Sequence, residues 1–265
     1  MGKLRRYLRL FGVQLRMSLL LGMQYRADFL IEGAISLFFT ATALVPLFVI
    51  YADRSSIAGW SFGEALVVTG FFTLLGGVLE GAINPSLSIV VDHIRKGTLD
   101  LVLLKPADAQ FLMSTQRFLP WRATAIPAAL IIWAYAFAEI GVGPSLGAVA
   151  TSLVLLLAAI LTMYSLWIMV VSAAFYVVRV DNLTYLFTSI FDAARWPSSV
   201  FRGALAVVFT YVIPLALMTT YPAEALLGRI DGARVVVALV GSLVFATVAR
   251  LVWLRALRRY TSAGG

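Results

Sequence analysis

Residues 29–51 read FLIEGAISLFFTATALVPLFVIY, set between Arg26 and the polar run Asp53-Arg54-Ser55-Ser56. A helix needs about 20 predominantly apolar residues to cross the hydrocarbon core of a bilayer. This stretch is long enough and carries a single charge, Glu32, near its start. It predicts a membrane span, and the rest of the chain repeats the pattern. Residues 62–83 form a second apolar run, with Trp60 at its outer interface and Asn84-Pro85 at its end. Residues 121–138 form a third, with Pro127 in its first half. The turn Gly141-Val142-Gly143-Pro144 leads into 146–178, which exceeds a perpendicular crossing and predicts a tilted or protruding helix. A further run, 235–254, is closed by Arg250, Arg255, Arg258 and Arg259. The chain is 61% hydrophobic and 13% charged, against roughly 45–50% and about 25% for soluble domains. A soluble domain is excluded.

Charge sets the orientation. All 21 Lys and Arg residues except Arg54, Arg229 and Arg234 fall within 1–28, 84–122, 179–202 and 250–265. Short loops rich in Lys and Arg stay on the cytosolic side, so both ends of the chain are expected there and the number of crossings is even. The +8 net charge therefore reads as orientation and attraction to anionic lipid, not as nucleic-acid binding. Residues 1–28 carry an interfacial helix: Leu4, Leu8, Phe11, Leu15 and Leu19 share one arc, opposite Arg5, Arg6, Arg9 and Arg16. Arg5-Arg6 does not open an export signal, because Arg16 and Arg26 interrupt the apolar stretch such a signal needs.

Even parity requires one more crossing within 179–234. Either 204–221 crosses, as its hydropathy favours, or 182–196 crosses and 204–221 dips in and returns on the outer side. Pro214, Pro222, Gly203 and Gly228 favour the second, because broken helices at membrane depth are tolerated only when buried in protein. No internal repeat is visible, so two-fold symmetry would require a second subunit.

The connection 84–122 has more pattern than a passive linker. Pro85 and Ser86 can start a helix on which Leu87, Val90, Val91 and Ile94 follow at three-to-four spacing, and Arg95-Lys96-Gly97 stops it. Asp108 can begin another, carrying Phe111, Leu112 and Phe118. These residues describe either a rigid knob for a groove on a cytosolic protein or a loop resting on lipid.

Here the chain resembles a known family. Arg95-Lys96-Gly97-Thr98-Leu99-Asp100, then Leu103-Leu104-Lys105-Pro106 and Gln116-Arg117-Phe118, is similar to permease subunits of the ABC-2 type, in particular a bacterial branch of about the same length. A second block agrees, from Arg195-Trp196-Pro197 through Val212-Ile213-Pro214 to Tyr221-Pro222-Ala223-Glu224 and on to Gly228. The resemblance implies an all-α polytopic membrane protein of the bacterial cytoplasmic (inner) membrane with six transmembrane helices. It comprises an interfacial helix, 1–28, and a transmembrane domain, 29–265. It implies a coupling helix at 87–95 that docks on a separate ATP-binding subunit, with Leu87, Val90, Val91, His93, Ile94, Arg95, Gly97 and Asp100 as coupling residues. It also implies a re-entrant hairpin over 197–228, framed by Pro197, Pro214 and Pro222 with Glu224 near its exit, which makes 182–196 the fifth crossing. That crossing is polar, with Asn182, Thr184, Thr188, Ser189 and Asp192, and would need burial in a dimer. The implied partners are two ATPase copies, which bind the ATP and Mg, a second permease identical or similar to this one, and the bilayer. No cofactor is expected in this chain.

The chain itself offers no chemistry of hydrolysis. It has no G-x-x-x-x-G-K-S/T phosphate loop. His93 is the only histidine and there is no cysteine, which leaves neither a metal set nor a nucleophile–base pair. Glu32 and Glu64 lie near span ends, where snorkelling suffices. Glu80 lies deeper, flanked by Gly76, Gly77 and Gly81, and is expected either to pair with Arg26 or Arg122 or to contact substrate. The leading expectation is the permease subunit of an ATP-driven exporter. An ion-coupled secondary transporter is the alternative, but such folds usually carry internal repeats and ionisable sites at mid-membrane. A non-transporting membrane scaffold is another.

Overall fold

The computed structural model describes residues 2–24, 26–176, 185 and 188–260. Helix α1 (Lys3–Gln24) leads into α2 (Arg26–Tyr51), and a two-residue hairpin, β1 (Ser56–Ile57) and β2 (Trp60–Ser61), turns the chain back. Its loop residues Ala58 and Gly59 both have positive φ, 50° and 84°, as tight hairpins with right-handed strand twist require. Next come α3 (Phe62–Val78), a π-turn over Leu79–Ile83, α4 (Asn84–Arg95), α5 (Asp100–Leu103) and α6 (Ala109–Ser114). A 3-10 turn, Pro120–Thr124, opens α7 (Ala125–Ile140), and α8 (Leu146–Ser172) follows. The C-terminal part holds α9 (Ala204–Val207), π-turns over Val208–Val212 and Ala216–Thr220, α10 (Tyr221–Leu226) and α11 (Gly232–Leu257).

Among the described residues, five helices are long and apolar enough to cross a membrane: Phe29–Tyr51, Phe62–Arg95, Pro120–Ile140, Leu146–Phe175 and Gly232–Leu257. They coincide with the five spans read from the sequence. Of the expected crossing 182–196, residues 182–184, 186 and 187 lie outside the described residues; 188–191 are helical and Asp192–Arg195 form a 3-10 turn. The stretch 204–221 is not one helix. Ile213 leaves helical geometry (φ −124°, ψ 85°) immediately before Pro214, whose ring fixes φ and removes a donor.

One boundary is corrected. The second span does not end at Asn84-Pro85: the helix runs on from Phe62 to Arg95. Pro85 cannot donate to the carbonyl of Gly81, and its ring would crowd that oxygen in an α-helix. The chain widens into the π-turn instead, and the N–H of Leu119 takes the Gly81 carbonyl at 2.8 Å. The helix therefore passes its proline with that carbonyl satisfied. At 1.5 Å per residue this rod is about 50 Å long, against about 30 Å of hydrocarbon, and α4 is its protruding end.

The core centres on α3, α7, α8 and α11, with Trp167, Trp253, Phe71, Leu75 and Met163 almost fully buried. Contact between α3 and α7 depends on three glycines seven residues apart, two turns of one face. A Cβ on Gly63 would lie 2.8 Å from Ile140 Cγ1, on Gly70 2.2 Å from Trp133 Nε1, and on Gly77 2.3 Å from Ala125 Cβ. Helix α2 is by contrast mostly exposed, showing Leu30, Ile31, Phe38, Phe39 and Val49.

Candidate functional site

The connection between α3 and α7 folds into a knob at the basic end of the bundle. Helix α4 stops as the sequence predicts. Gly97 adopts φ +64°, its N–H bonds the Ile94 carbonyl at 3.3 Å, and the Thr98 N–H bonds the His93 carbonyl at 3.0 Å. This left-handed cap closes the last carbonyls of the helix and needs glycine's conformational freedom. His93 is tied into the same corner, its Nδ1 2.7 Å from Thr98 Oγ1. Helix α5 then anchors inward through Leu99 and Val102, both buried, and turns Leu101 and Leu104 out, 63% and 82% exposed.

The residues expected to couple to a partner divide between core and surface. Leu87, Val90 and Val91 are 1%, 0% and 6% exposed and pack in the same core cluster as Leu75, Met163 and Trp167, with Ile94 against its edge. An apolar face already taken up by the chain's own core has no area left for a partner. Arg95 is exposed, whereas Gly97 and Asp100 are partly buried. The apolar surface presented outward is at α5, which begins at Asp100, the last of those residues.

Immediately after the knob, Asp108 is held by three partners. It caps α6, accepting the Phe111 N–H at 3.0 Å, as its sequence position predicts. Its own N–H donates to Tyr7 Oη at 3.0 Å. Arg250 of α11 grips the carboxylate with two nitrogens, at 2.5 Å and 3.2 Å, and donates to Gln110 Oε1 at 2.7 Å. Gln110 donates onward to Tyr164 Oη of α8 at 3.0 Å, and Tyr164 meets Ser114 Oγ at 2.7 Å. Burial alone would raise the Asp108 pKa, but hydrogen bonds from Arg250 and from the Phe111 and Gln110 amides outweigh it and hold the carboxyl below its ordinary value.

Helix α1 docks on the same loop through a stripe the sequence reading passed over. Besides Tyr7, Arg6 donates to the Pro106 carbonyl, Gln14 meets the Leu112 carbonyl and Thr115, and Ser18 accepts the Phe118 N–H at 3.1 Å. Tyr7, Gln14 and Ser18 are spaced seven and four residues apart, one helical face, and that periodicity was the available signal. Leu4, Leu8 and Leu19 stay exposed, in keeping with an interfacial helix.

Glu80 does not pair with Arg122. It accepts from Asn84 Nδ2 at 3.0 Å, and Trp167 Nε1 donates to Asn84 Oδ1 at 3.1 Å, which fixes the amide's orientation. The Arg26 side chain lies outside the described residues. Beside Glu80 opens a cavity of about 420 Å³, lined also by Asn84, Ser88, Asp92 and Thr188. Glu64 is not a snorkelling acid. It forms a capping box with Ser61 and pairs with Arg229 at 2.8 Å, while Arg229 lies over Trp60. Ser199 joins that end too, accepting from Trp60 Nε1 and donating to the Ala58 carbonyl. Pro197 and Pro222 are buried at the starts of helical turns, Pro214 is buried at the break, and Glu224 pairs with Arg234 at 3.0 Å. Among the described residues no three His, Asp or Glu side chains converge as a metal site would need.

Long apolar helices around a buried core, with an ordered knob protruding at one end, define a polytopic helical membrane protein. The model of the family described as ABC-2 family transporter protein matches residues 37–264, and the chain belongs to that family. Its place is therefore that of a membrane component of an ABC transporter. Comparison with curated proteins and with solved structures gives no match.

Proposed function

We propose that this chain is the permease subunit of an ATP-driven exporter of the bacterial cytoplasmic membrane, with both termini cytosolic. It works with two copies of a separate ATP-binding subunit and a second permease, identical or similar. The observation that carries the reading is the α5 knob: Leu101 and Leu104 stand out on a loop braced by α1, α6 and α11. Exposed leucines beside Lys105 on a rigid support suit a groove on a soluble partner. The docking element is accordingly the tip of the loop, with α4 as its strut.

A re-entrant hairpin over 197–228 is part of the proposal. Ser199 touches Ala58 and Trp60, and Arg229, just past α10, touches Glu64 and Trp60. Both ends of the segment thus meet the same end of the bundle, with the break at Pro214 between them. Six crossings then follow, with 182–196 as the fifth. The exposed α2 and the partly exposed Asp192–Arg195 pair, the latter beside Phe72 about ten residues into α3, favour cover by a second subunit.

The test is co-purification of the ATPase from native membranes. Leu101→Asp with Leu104→Asp places charges where apolar area, worth about 1.5–3 kcal/mol per leucine, would be buried. The double variant is expected to insert normally and lose the ATPase. Retention of the ATPase by this variant refutes docking at α5. Export that continues with no ATPase bound favours the secondary transporter instead.

A further inference from the structure

We infer that Asp108 and Arg250 form the joint through which movement of the knob reaches the last membrane helix; this rests on the reading that the knob engages an ATPase. Besides its contacts with the interfacial helix α1, the knob has two attachments to the membrane helices. On one side it hangs from α4, the continuous end of the 34-residue helix Phe62–Arg95. On the other, the chain returns through Lys105, Pro106 and Ala107 to Asp108, which the bidentate contact with Arg250 ties to α11. Paired parallel hydrogen bonds between guanidinium and carboxylate fix orientation as well as distance.

The tie does not end there. Arg250 also binds Gln110, and Gln110 and Ser114 both reach Tyr164 of α8, which packs at the edge of the main core. Helices α8 and α11 in turn pack along each other, with Trp253 buried between Phe175 and the core. A push on α5 therefore acts on two levers at once, the α3–α4 rod and the α8–α11 pair. The first is continuous backbone. The second depends on side chains 142 residues apart in sequence. Severing it leaves the knob's apolar surface intact and removes only this route of transmission, which makes Arg250 a positioning residue.

The absence of native cysteine permits a direct test in the permease–ATPase complex purified from its own membranes and reconstituted in nanodiscs. Single cysteines at Thr98, in the knob, and Val236, exposed toward the far end of α11, carry an environment-sensitive fluorophore, read with and without ATP and vanadate. In the otherwise unaltered complex both labels should respond. With Arg250→Gln the ATPase should stay bound and the Thr98 label should still respond. The Val236 response should fall at least about fivefold, the lower end of ordinary coupling factors. Arg250→Lys, which keeps the charge but loses the fork, should fall between. An undiminished Val236 response in Arg250→Gln overturns the inference, as does loss of the Thr98 response, which would make the pair a support for docking rather than a transmitter. An unaltered complex whose Thr98 label ignores nucleotide refutes the functional reading itself, and the joint with it.

Discussion

Gly70→Ala tests the packing of α3 on α7. The new Cβ would lie 2.2 Å from Trp133 Nε1 and 2.5 Å from Cδ1. Carbon contacts settle near 3.5–4.0 Å, so the indole must retreat by more than about 1 Å. It is poorly placed to do so. Its Nε1 donates to the Val67 carbonyl at 3.1 Å and its face leans on Phe71 at 4.6 Å. Overpacking of this kind costs about 1–3 kcal/mol, and loss of the hydrogen bond adds about 0.5–1.5 kcal/mol. Alanine's better helix propensity returns about 1 kcal/mol. The same substitution at Gly76, on the same helix, meets nothing within 4 Å and gains only the propensity. Subtracting one variant from the other cancels that gain and leaves a cost of about 1.5–4.5 kcal/mol at Gly70. Equilibrium unfolding of both variants in mixed micelles, followed by tryptophan fluorescence, measures the difference. Midpoints that agree within about 0.5 kcal/mol would refute the close approach of the two helices.

Leu87→Ala should destabilise the permease itself by about 2–5 kcal/mol, because Leu87 is buried in the chain's own core; unfolding in micelles checks it, and an unchanged midpoint would return α4 to the list of docking surfaces. Because the folded Asp108 carboxyl titrates below its ordinary value, its contribution to stability is complete above the unfolded pKa of about 3.9 and is lost as pH falls through the folded value. The stability difference between the unaltered protein and Asp108→Asn should therefore hold from pH 7 to about 4 and shrink below that; a difference that shrinks already near pH 6 would contradict it. Single cysteines at Ser55, Ser145 and Ser198 should react with an impermeant thiol reagent in intact cells, and one at Thr98 only after permeabilisation. Labelling of Thr98 from outside would overturn the orientation, and protection of Ser198 would overturn the re-entrant reading.

Much of this molecule was legible locally. Apolar runs of membrane length, the segregation of Lys and Arg, the glycine stop at Gly97 and the cap at Asp108 are properties of short windows, and each is governed by forces that act within a few residues or between a segment and the bilayer. The family resemblance, carried by 95–106 and 195–228, also belongs to the sequence. Tertiary structure decided what each surface faces. The apolar stripe Leu87–Val90–Val91 reads the same whether it meets a partner or its own core, and only the packing of α4 with its core assigns it inward. Pro85 signals a helix boundary until Leu119, distant in sequence, accepts the role of donor to Gly81. The heptad of Gly63, Gly70 and Gly77 has meaning only against Ile140, Trp133 and Ala125. Asp108 and Arg250 gave no local sign of each other, because an ion pair between residues 142 apart is created by the way helices pack and leaves no period in the chain that encodes it.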